Sequence, residues 1–245
     1  MIDRIAVFLL AAGKGTRMGE GPPKPLVKLR GKSIILHLIE ADEQARIRDI
    51  YLIVGCRADE VQAALDARVK YVRQEDQLGT AHAVETAGEI IQSYEQVLVF
   101  VGDSPLLKPE TIRRLIEAHQ ESGAACSFLT ADFPIKLPYA RVIRNDCRRL
   151  VKCVEQRDAT PSELGVTELM TSHLLFNSAF LATNLGNIKP HPVTGERYLT
   201  DLINIGLQVG ETVLAEEVAD YRQLVGLNTP EDLAWAEEVM HNQEE

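Results

Sequence analysis

Two rhythms of apolar residues divide this chain. Apolar runs of strand length occur at 5–10 (IAVFLL), 50–54 (IYLIV), 69–72 (VKYV) and 97–101 (VLVFV), and between them SIILHLIEADEQA and TAHAVETAGEIIQ carry helical spacing. Strands alternating with helices predict an α/β architecture built on a parallel sheet. IAVFLL and VLVFV lack polar alternation, as strands covered by helices on both faces do, and are therefore expected at the centre of the sheet. From about residue 124 the texture turns β-rich, with ACSFLTA, ARVIRN, RLVKCVEQ and LMTSHLLF broken by polar turns. These predict mixed or antiparallel strands forming a lid over roughly residues 124–200. Helical patterns return at SAFLATNL and YLTDLINIGLQV, and then at TPEDLAWAEEVMHN, where Thr229 can N-cap, Pro230 sits at N1 and two acids follow. With no internal repeat, low-complexity segment or Gly/Ser linker, one domain over 1–245 is expected.

Charge and cysteine content narrow the partners. Lys and Arg total 26 against 36 Asp and Glu, a net charge of -10, which argues against a nucleic-acid or anionic-membrane surface and makes any basic site local. The 4 cysteines are dispersed without a C-x-x-C, so they read as reduced thiols, partly in the core, which favours the cytoplasm. The apolar start IAVFLLAA is short and lacks a cationic leader, and no later run reaches membrane-spanning length; a soluble, untargeted protein is expected. The 6 histidines form no H-x-x-x-H, Ser104 lacks a G-x-S-x-G elbow, and the lone Trp235 falls on the last helix, where it is expected to pack. Zinc chemistry and a serine nucleophile are thus excluded from the expectation.

The stretch LLAAGKGTRMG, residues 9–19, leaves its strand at the carboxyl end, where ligands of open parallel sheets gather. Gly13 and Gly15 bracket Lys14 and are followed by Arg17; glycines let backbone N–H groups crowd an anion. The spacing is neither that of a Walker loop nor of a dinucleotide fingerprint, since Met18 stands where the third glycine belongs and the next strand ends LIVGC without an acid. Phosphate binding is the favoured reading. Lys24 in PPKPLVKL precedes Pro25 and is expected to be extended and within reach of a phosphate. In RQEDQLGTAHAV, Gly79 can approach a planar ring and Thr80 can cap a helix starting at Ala81. In VLVFVGDSPLL, Asp103 ends a buried strand and offers a hard oxygen suited to Mg²⁺ on a triphosphate.

LAAGKGTRM followed by KPL resembles the signature of the sugar-phosphate nucleotidyltransferases, most of all their N-acetylglucosamine-1-phosphate uridylyltransferase branch. The likeness runs through nearly all of the chain. It implies a Rossmann-like three-layer α/β/α fold with a mostly parallel sheet and a smaller β-rich lid over the acceptor site. It also implies that Leu10, Ala11, Ala12, Gly13 and Gly15 hold the nucleotide, and that Arg17 and Lys24 stabilise charge as pyrophosphate leaves. Gln74 then pairs with uracil, with Gln77, Gly79 and Thr80 completing the contact, although a carboxamide that can flip does not by itself separate uracil from cytosine. GDxPL and G-x-N resemble the two magnesium-binding segments and make Asp103 and Asn228 the Mg²⁺ ligands.

YARVIRND, VEQRDAT and GERYLTDLI resemble the sugar-binding strands and lid, which assigns Glu155 and Thr200 to the acceptor and places Ala140 and Met170 beside them. Three positions depart from the branch's pattern: Val101 for a tyrosine, Ala140 for a glycine and Met170 for an asparagine. A lost hydrogen bond of roughly 1–3 kcal/mol shifts preference among hexose 1-phosphates without touching the nucleotide chemistry. Only HNQEE follows the last helical pattern, so the acetyltransferase β-helix of bifunctional relatives is not expected. The expected reaction is Mg²⁺-dependent transfer of a uridylyl group from UTP to N-acetylglucosamine 1-phosphate or a related hexose 1-phosphate, giving a UDP-sugar and pyrophosphate. The alternatives are a nucleotidyltransferase that uses CTP or dTTP or a different phosphate acceptor, and a non-catalytic nucleotide-sugar sensor. Oligomeric state is not specified.

Overall fold

The structure is a computed structural model that describes residues 4–13, 15–19, 21–65 and 68–242; Lys14 lies outside the described residues. In chain order the regular elements are β1 (Ile5–Ala11), β2 (Lys28–Leu29), β3 (Lys32–Ser33), α1 (Ile34–Gln44), β4 (Asp49–Val54), α2 (Ala58–Ala64), β5 (Lys70–Arg73), α3 (Thr80–Glu85), α4 (Gly88–Ile91), β6 (Gln96–Val101) and α5 (Pro109–Ser122). There follow β7 (Cys126–Asp132), β8 (Ala140–Arg144), β9 (Leu150–Val154), β10 (Glu168–Asn177), α6 (Ser178–Asn184), α7 (Thr200–Gln208), β11 (Val213–Glu217) and α8 (Pro230–His241).

Among the described residues one 9-stranded sheet runs β11-β7-β10-β6-β1-β4-β5, with β8 paired to β10 and β9 to β8. The β11·β7, β6·β1, β1·β4 and β4·β5 pairs are parallel, while β10 is antiparallel to both of its neighbours in that path. The runs IAVFLL and VLVFV sit side by side at the centre, as their unbroken apolarity requires, and alternate residues serve two cores. Ile5, Val7, Leu9, Leu98 and Phe100 pack with α1, α2 and α5, whereas Ala6, Phe8, Val97 and Val99 pack with α3, α4, α6 and α7. Three layers, α/β/α, result. Two of the β-rich segments expected on a lid, β7 and β10, instead extend the main sheet, because their residues are buried on both faces; β8 and β9 leave its path.

The helical pattern 80–92 is two short helices, not one. Thr86 Oγ1 donates to Ala83 O at 2.6 Å and Gly88 restarts the turn, so the ladder breaks between them. The last helix begins as its sequence predicts: Thr229 Oγ1 accepts from Asp232 N–H, Asp232 returns a carboxylate to Thr229 N–H, and Pro230 is at N1. It docks through Leu233, Trp235 and Ala236 on Leu29 and Ile34 of the β2–β3 hairpin and α1. The 4 cysteines are free, with Cys126 and Cys153 buried. No helix among the described residues is long and apolar enough to cross a membrane.

Candidate active site

Parallel register brings the carboxyl ends of β1, β4, β5 and β6 to one edge, with Leu10 opposite both Ile53 and Val101. The backbone keeps the departing loops together: Gly102 N–H donates to Leu10 O at 2.9 Å and Gln74 N–H to Val54 O at 2.7 Å. At this edge Gly15, with φ +61°, opens the turn Thr16–Met18 that carries Arg17, and a Cβ on Gly15 would stand 2.8 Å from Lys24 Cβ. Lys24 is not extended as its proline neighbour predicts. It opens a 3₁₀ turn, Lys24–Leu26, in which Leu26 N–H donates to Pro23 O at 2.8 Å and Val27 N–H to Lys24 O at 3.2 Å, and the first of these bonds, which spans Lys24 and Pro25, outweighs the pre-proline bias. The turn still delivers its ammonium to the site.

Lys24 Nζ donates to Asp103 Oδ2 in an ion pair and to Asn228 Oδ1 at 2.8 Å, and Arg17 Nη2 donates to the same Asn228 oxygen at 2.8 Å. Four residues from three distant segments therefore meet at one point. Asn228 is oriented by its own amide, which donates to Gly226 O at 3.0 Å, and by Asp232, which accepts the Asn228 and Thr229 backbone N–H groups at 2.8 and 2.9 Å. Asp103 O accepts from Leu227 N–H at 2.8 Å, and a Cβ on Gly226 would fall 2.8 Å from Asp103 Oδ1. Tyr139 accepts Gly226 N–H at 2.9 Å, and burial pushes its phenol up to about 12, so it stays protonated at neutral pH. Among the described residues no group of three or more His, Cys, Asp or Glu side chains is arranged to hold a metal. One carboxylate and one carboxamide oxygen converging on a cation are instead the sparse hard-oxygen set that suits Mg²⁺ sharing its shell with phosphate and water.

Two cavities share this edge. The first, about 290 Å³, is lined by the loop from Leu10 to Gly13, by Lys24, and by Gln74, Gln77, Gly79 and Thr80, all expected at a nucleotide. Glu196 and Tyr198 close its other side. Gly79 has φ +100° and no room for a side chain, since its Cβ would be 2.3 Å from Arg197 O. Thr80 does not cap a helix starting at Ala81; it is the helix's first residue, and its Oγ1 accepts from Leu199 N–H at 3.0 Å. The cap is displaced because the 196–199 strap supplies partners itself: Ala81 N–H donates to Arg197 O at 3.0 Å and Arg197 N–H to Leu78 O at 2.9 Å.

The second cavity, about 210 Å³, shares Val101 and Asp103 with the first and contains Arg17, Asn228, Ala140, Glu155 and Met170. Thr200 stands behind its wall and donates to Glu155 Oε1 at 2.6 Å. A β-bulge between Met170 and Leu174 turns Thr171 and Ser172 into the cavity, with Ser172 at φ +61°. Ser104, 1% exposed, lines the same space, and its hydroxyl has no partner among the described residues.

Sequence reasoning missed Tyr139, Ser104, Glu196, Tyr198 and Asp232. Glu196, Tyr198 and Tyr139 stand inside stretches singled out for the acceptor, but only the fold turns the first two towards the first cavity and the third under Gly226. Asp232 was legible as a helix acid, not as the clamp on Asn228.

A profile of the MobA-like NTP transferase domain matches residues 7–168. The chain belongs to that family. This bears out the likeness read from LAAGKGTRM and KPL, and membership makes the chain an NTP transferase of the nucleotidyltransferase enzymes. It is 38% identical over 237 residues to the bifunctional protein GlmU of Alkaliphilus metalliredigens, covering 97% of this chain and 52% of the relative. With GlmU of Limosilactobacillus reuteri it shares 37% over 243 residues, 99% of this chain and 53% of the relative. The chain thus spans about half the length of these curated relatives. Among solved structures, a candidate glucose-1-phosphate thymidylyltransferase from Bacillus anthracis, bound to sucrose, has the same fold, with a TM-score of 0.77 at 20% identity over 96% of this chain and 94% of that one.

Proposed function

We propose that this NTP transferase domain transfers a uridylyl group from UTP to a hexose 1-phosphate, releasing pyrophosphate and forming a UDP-sugar. The observation that carries the reading is the junction: two adjoining cavities share Val101 and Asp103, and the cations Arg17 and Lys24 converge there on Asn228. One cavity is shaped for a nucleoside by Gln74 and the side-chain-free Gly79, the other for a polar acceptor by Glu155. The GlmU relatives and the family profile support nucleotide transfer in general.

In the step proposed, an oxygen of the acceptor phosphate attacks the α-phosphorus of UTP, the bond from that phosphorus to the α–β bridging oxygen breaks, and pyrophosphate leaves with the electron pair. The acceptor phosphate is largely dianionic at neutral pH, with a second pKa of about 6, so no general base is required. The work left to the protein is alignment and charge stabilisation. Lys24 and Arg17 balance negative charge on the phosphates, and Glu155, held by the Thr200 hydroxyl, orients the acceptor. Asp103 and Asn228 would hold Mg²⁺, which when bound neutralises phosphate oxygens as a Lewis acid.

Pyrophosphate release with Mg²⁺ tests this across UTP, CTP, dTTP, ATP and GTP, each crossed with glucose-, N-acetylglucosamine-, glucosamine- and mannose 1-phosphate. Turnover with UTP and a single sugar is expected. Turnover only with a purine nucleotide, or none in any combination, would refute the reading.

A further inference from the structure

Among the described residues the first cavity has two acids on its wall, Asp103 and Glu196. Asp103 is paired with Lys24, whereas Glu196 makes no ion pair among the described residues. Glu196 Oε2 accepts from the Tyr198 hydroxyl at 2.5 Å. A phenol has one hydrogen, so Thr194 Oγ1, 3.0 Å from the Tyr198 oxygen, is the donor in that second bond. The surrounding loop holds the arrangement: His191 N–H donates to Glu196 O at 2.8 Å, and the Arg157 guanidinium lies over the Tyr198 ring, 5.3 Å from its centroid. Oε2 is thus committed to the protein. Oε1, without a hydrogen bond among the described residues, is the atom left to a ligand.

Charge and position decide what it meets. Like charges repel, so an unpaired carboxylate does not face phosphates, and a carboxylate only accepts, so its partner must bring a hydrogen. Arg197 N–H donates to Leu78 O and Leu199 N–H to Thr80 Oγ1, which sets Glu196 beside Gly79. On the reading above, Gly79 and Gln74 meet the base, so the donor left for Glu196 is the ribose. Of its two hydroxyls, the 2′ stands on the carbon next to the one that carries the base, and the 3′ a carbon farther towards the phosphates. We infer that Glu196 accepts a hydrogen bond from the ribose 2′-hydroxyl, so that the cavity takes ribonucleotides in preference to 2′-deoxyribonucleotides. In dinucleotide-binding folds a carboxylate makes this contact from farther along the βαβ unit. Here the next strand ends LIVGC without an acid, and the strap supplies one late in the chain. The inference rests on the nucleotide reading and adds a rule about the sugar of the nucleotide, which sets dTTP apart from UTP.

The test is calorimetric binding of UTP, dUTP and 3′-deoxy-UTP with Mg²⁺, and of CTP and dCTP alongside, to the purified chain, to Glu196→Ala and to Glu196→Met, with thermal melting of each. Wild type is expected to bind dUTP about 10- to 100-fold more weakly than UTP, the range for one hydrogen bond to a charged group. In either folded variant that ratio should fall to within about threefold while the ratio of UTP to 3′-deoxy-UTP stays as in wild type. A packing role would weaken all three nucleotides together. A wild type indifferent to the 2′-hydroxyl, a ratio that survives in either folded variant, or a loss that falls on 3′-deoxy-UTP instead would overturn the inference. So would two variants that no longer fold, since Glu196 would then serve the fold. A wild type that binds only the cytidine nucleotides fails the uridylyl reading and leaves this rule to the ratio of CTP to dCTP; one that binds no nucleotide sinks both.

Discussion

Gly226→Ala adds one methyl group at the most crowded point of the site. The new Cβ would stand 2.8 Å from Asp103 Oδ1, 3.1 Å from Cγ and 3.3 Å from Oδ2, all inside van der Waals contact. The backbone at Gly226 is not in the left-handed region, so the substitution carries no conformational strain and its whole effect is steric. Relief requires about 0.5–1 Å of movement, given that carbon contacts are optimal near 3.5–4.0 Å. If the carboxylate moves, its ion pair with Lys24 opens; if the 226–228 segment retreats, the Tyr139 bond to Gly226 N–H stretches and Asn228 is carried away from Arg17 and Lys24. Either route costs about one hydrogen bond, roughly 1 kcal/mol, and a shift of about 2–4 °C in melting temperature for a domain of this size. The catalytic loss is larger, because about 1 Å of misplacement in a positioning site lowers turnover by about 100-fold. Saturating pyrophosphate-release kinetics and thermal melting read the two effects separately. A kcat within twofold of wild type at an unchanged melting temperature would refute the placement of Asp103 in the reacting centre.

Ser104→Ala should raise KM for the acceptor about tenfold, leave KM for UTP unchanged and not lower the melting temperature, since the deleted hydroxyl is buried without a partner among the described residues; steady-state kinetics with both substrates varied decide it. Lys24→Met should lower kcat by about 100- to 1,000-fold, the usual cost of one charge-stabilising donor, measured as pyrophosphate release. Asp42 is fully buried with neither oxygen partnered among the described residues, and burial raises its carboxyl well above the ordinary range, so Asp42→Leu should stabilise the fold by about 1–3 kcal/mol at neutral pH in urea unfolding. Burial pushes His119 down to about 4, so the unfolded chain binds its proton first. Its contribution is present in full above pH 6.5 and is lost as pH falls from there towards 4; the pH slope of stability across that window should shrink in His119→Gln, as urea midpoints from pH 4 to 7 would show.

The centre of the sheet was legible because continuous apolarity has one structural outcome, a strand buried on both faces, and IAVFLL and VLVFV have it. The glycine turn after β1 was legible for a related reason: Gly13 and Gly15 are local devices whose conformational meaning survives without knowledge of the fold. Lys24 shows the limit of local rules, since a pre-proline bias of the backbone yielded to one turn hydrogen bond. Thr80 shows another, because its capping role passed to Arg197 and Leu199, more than a hundred residues later in the chain. The acceptor side was least legible. Ser104 and Tyr139 acquire meaning only when the fold sets them on one cavity beside Gly226 and the bulge in β10, and no spacing in the sequence encodes those encounters.

The clamp on Asn228 has a consequence for how the protein is made. Arg17 and Lys24 precede it by 211 and 204 residues, and Asn228 is held only once the first turn of α8 has closed around Asp232. At about 5–20 residues per second a ribosome needs about 10–40 s to travel from Lys24 to Asn228. Throughout that interval the nascent chain carries both cations, and from residue 103 onwards the carboxylate of Asp103, yet has no means of gathering them around the carboxamide that completes the point. On the proposed reading, activity therefore arrives in one step once Asn228 and the first turn of α8 have been made, and a chain broken off before residue 228 carries the glycine loop without the carboxamide that gathers its cations.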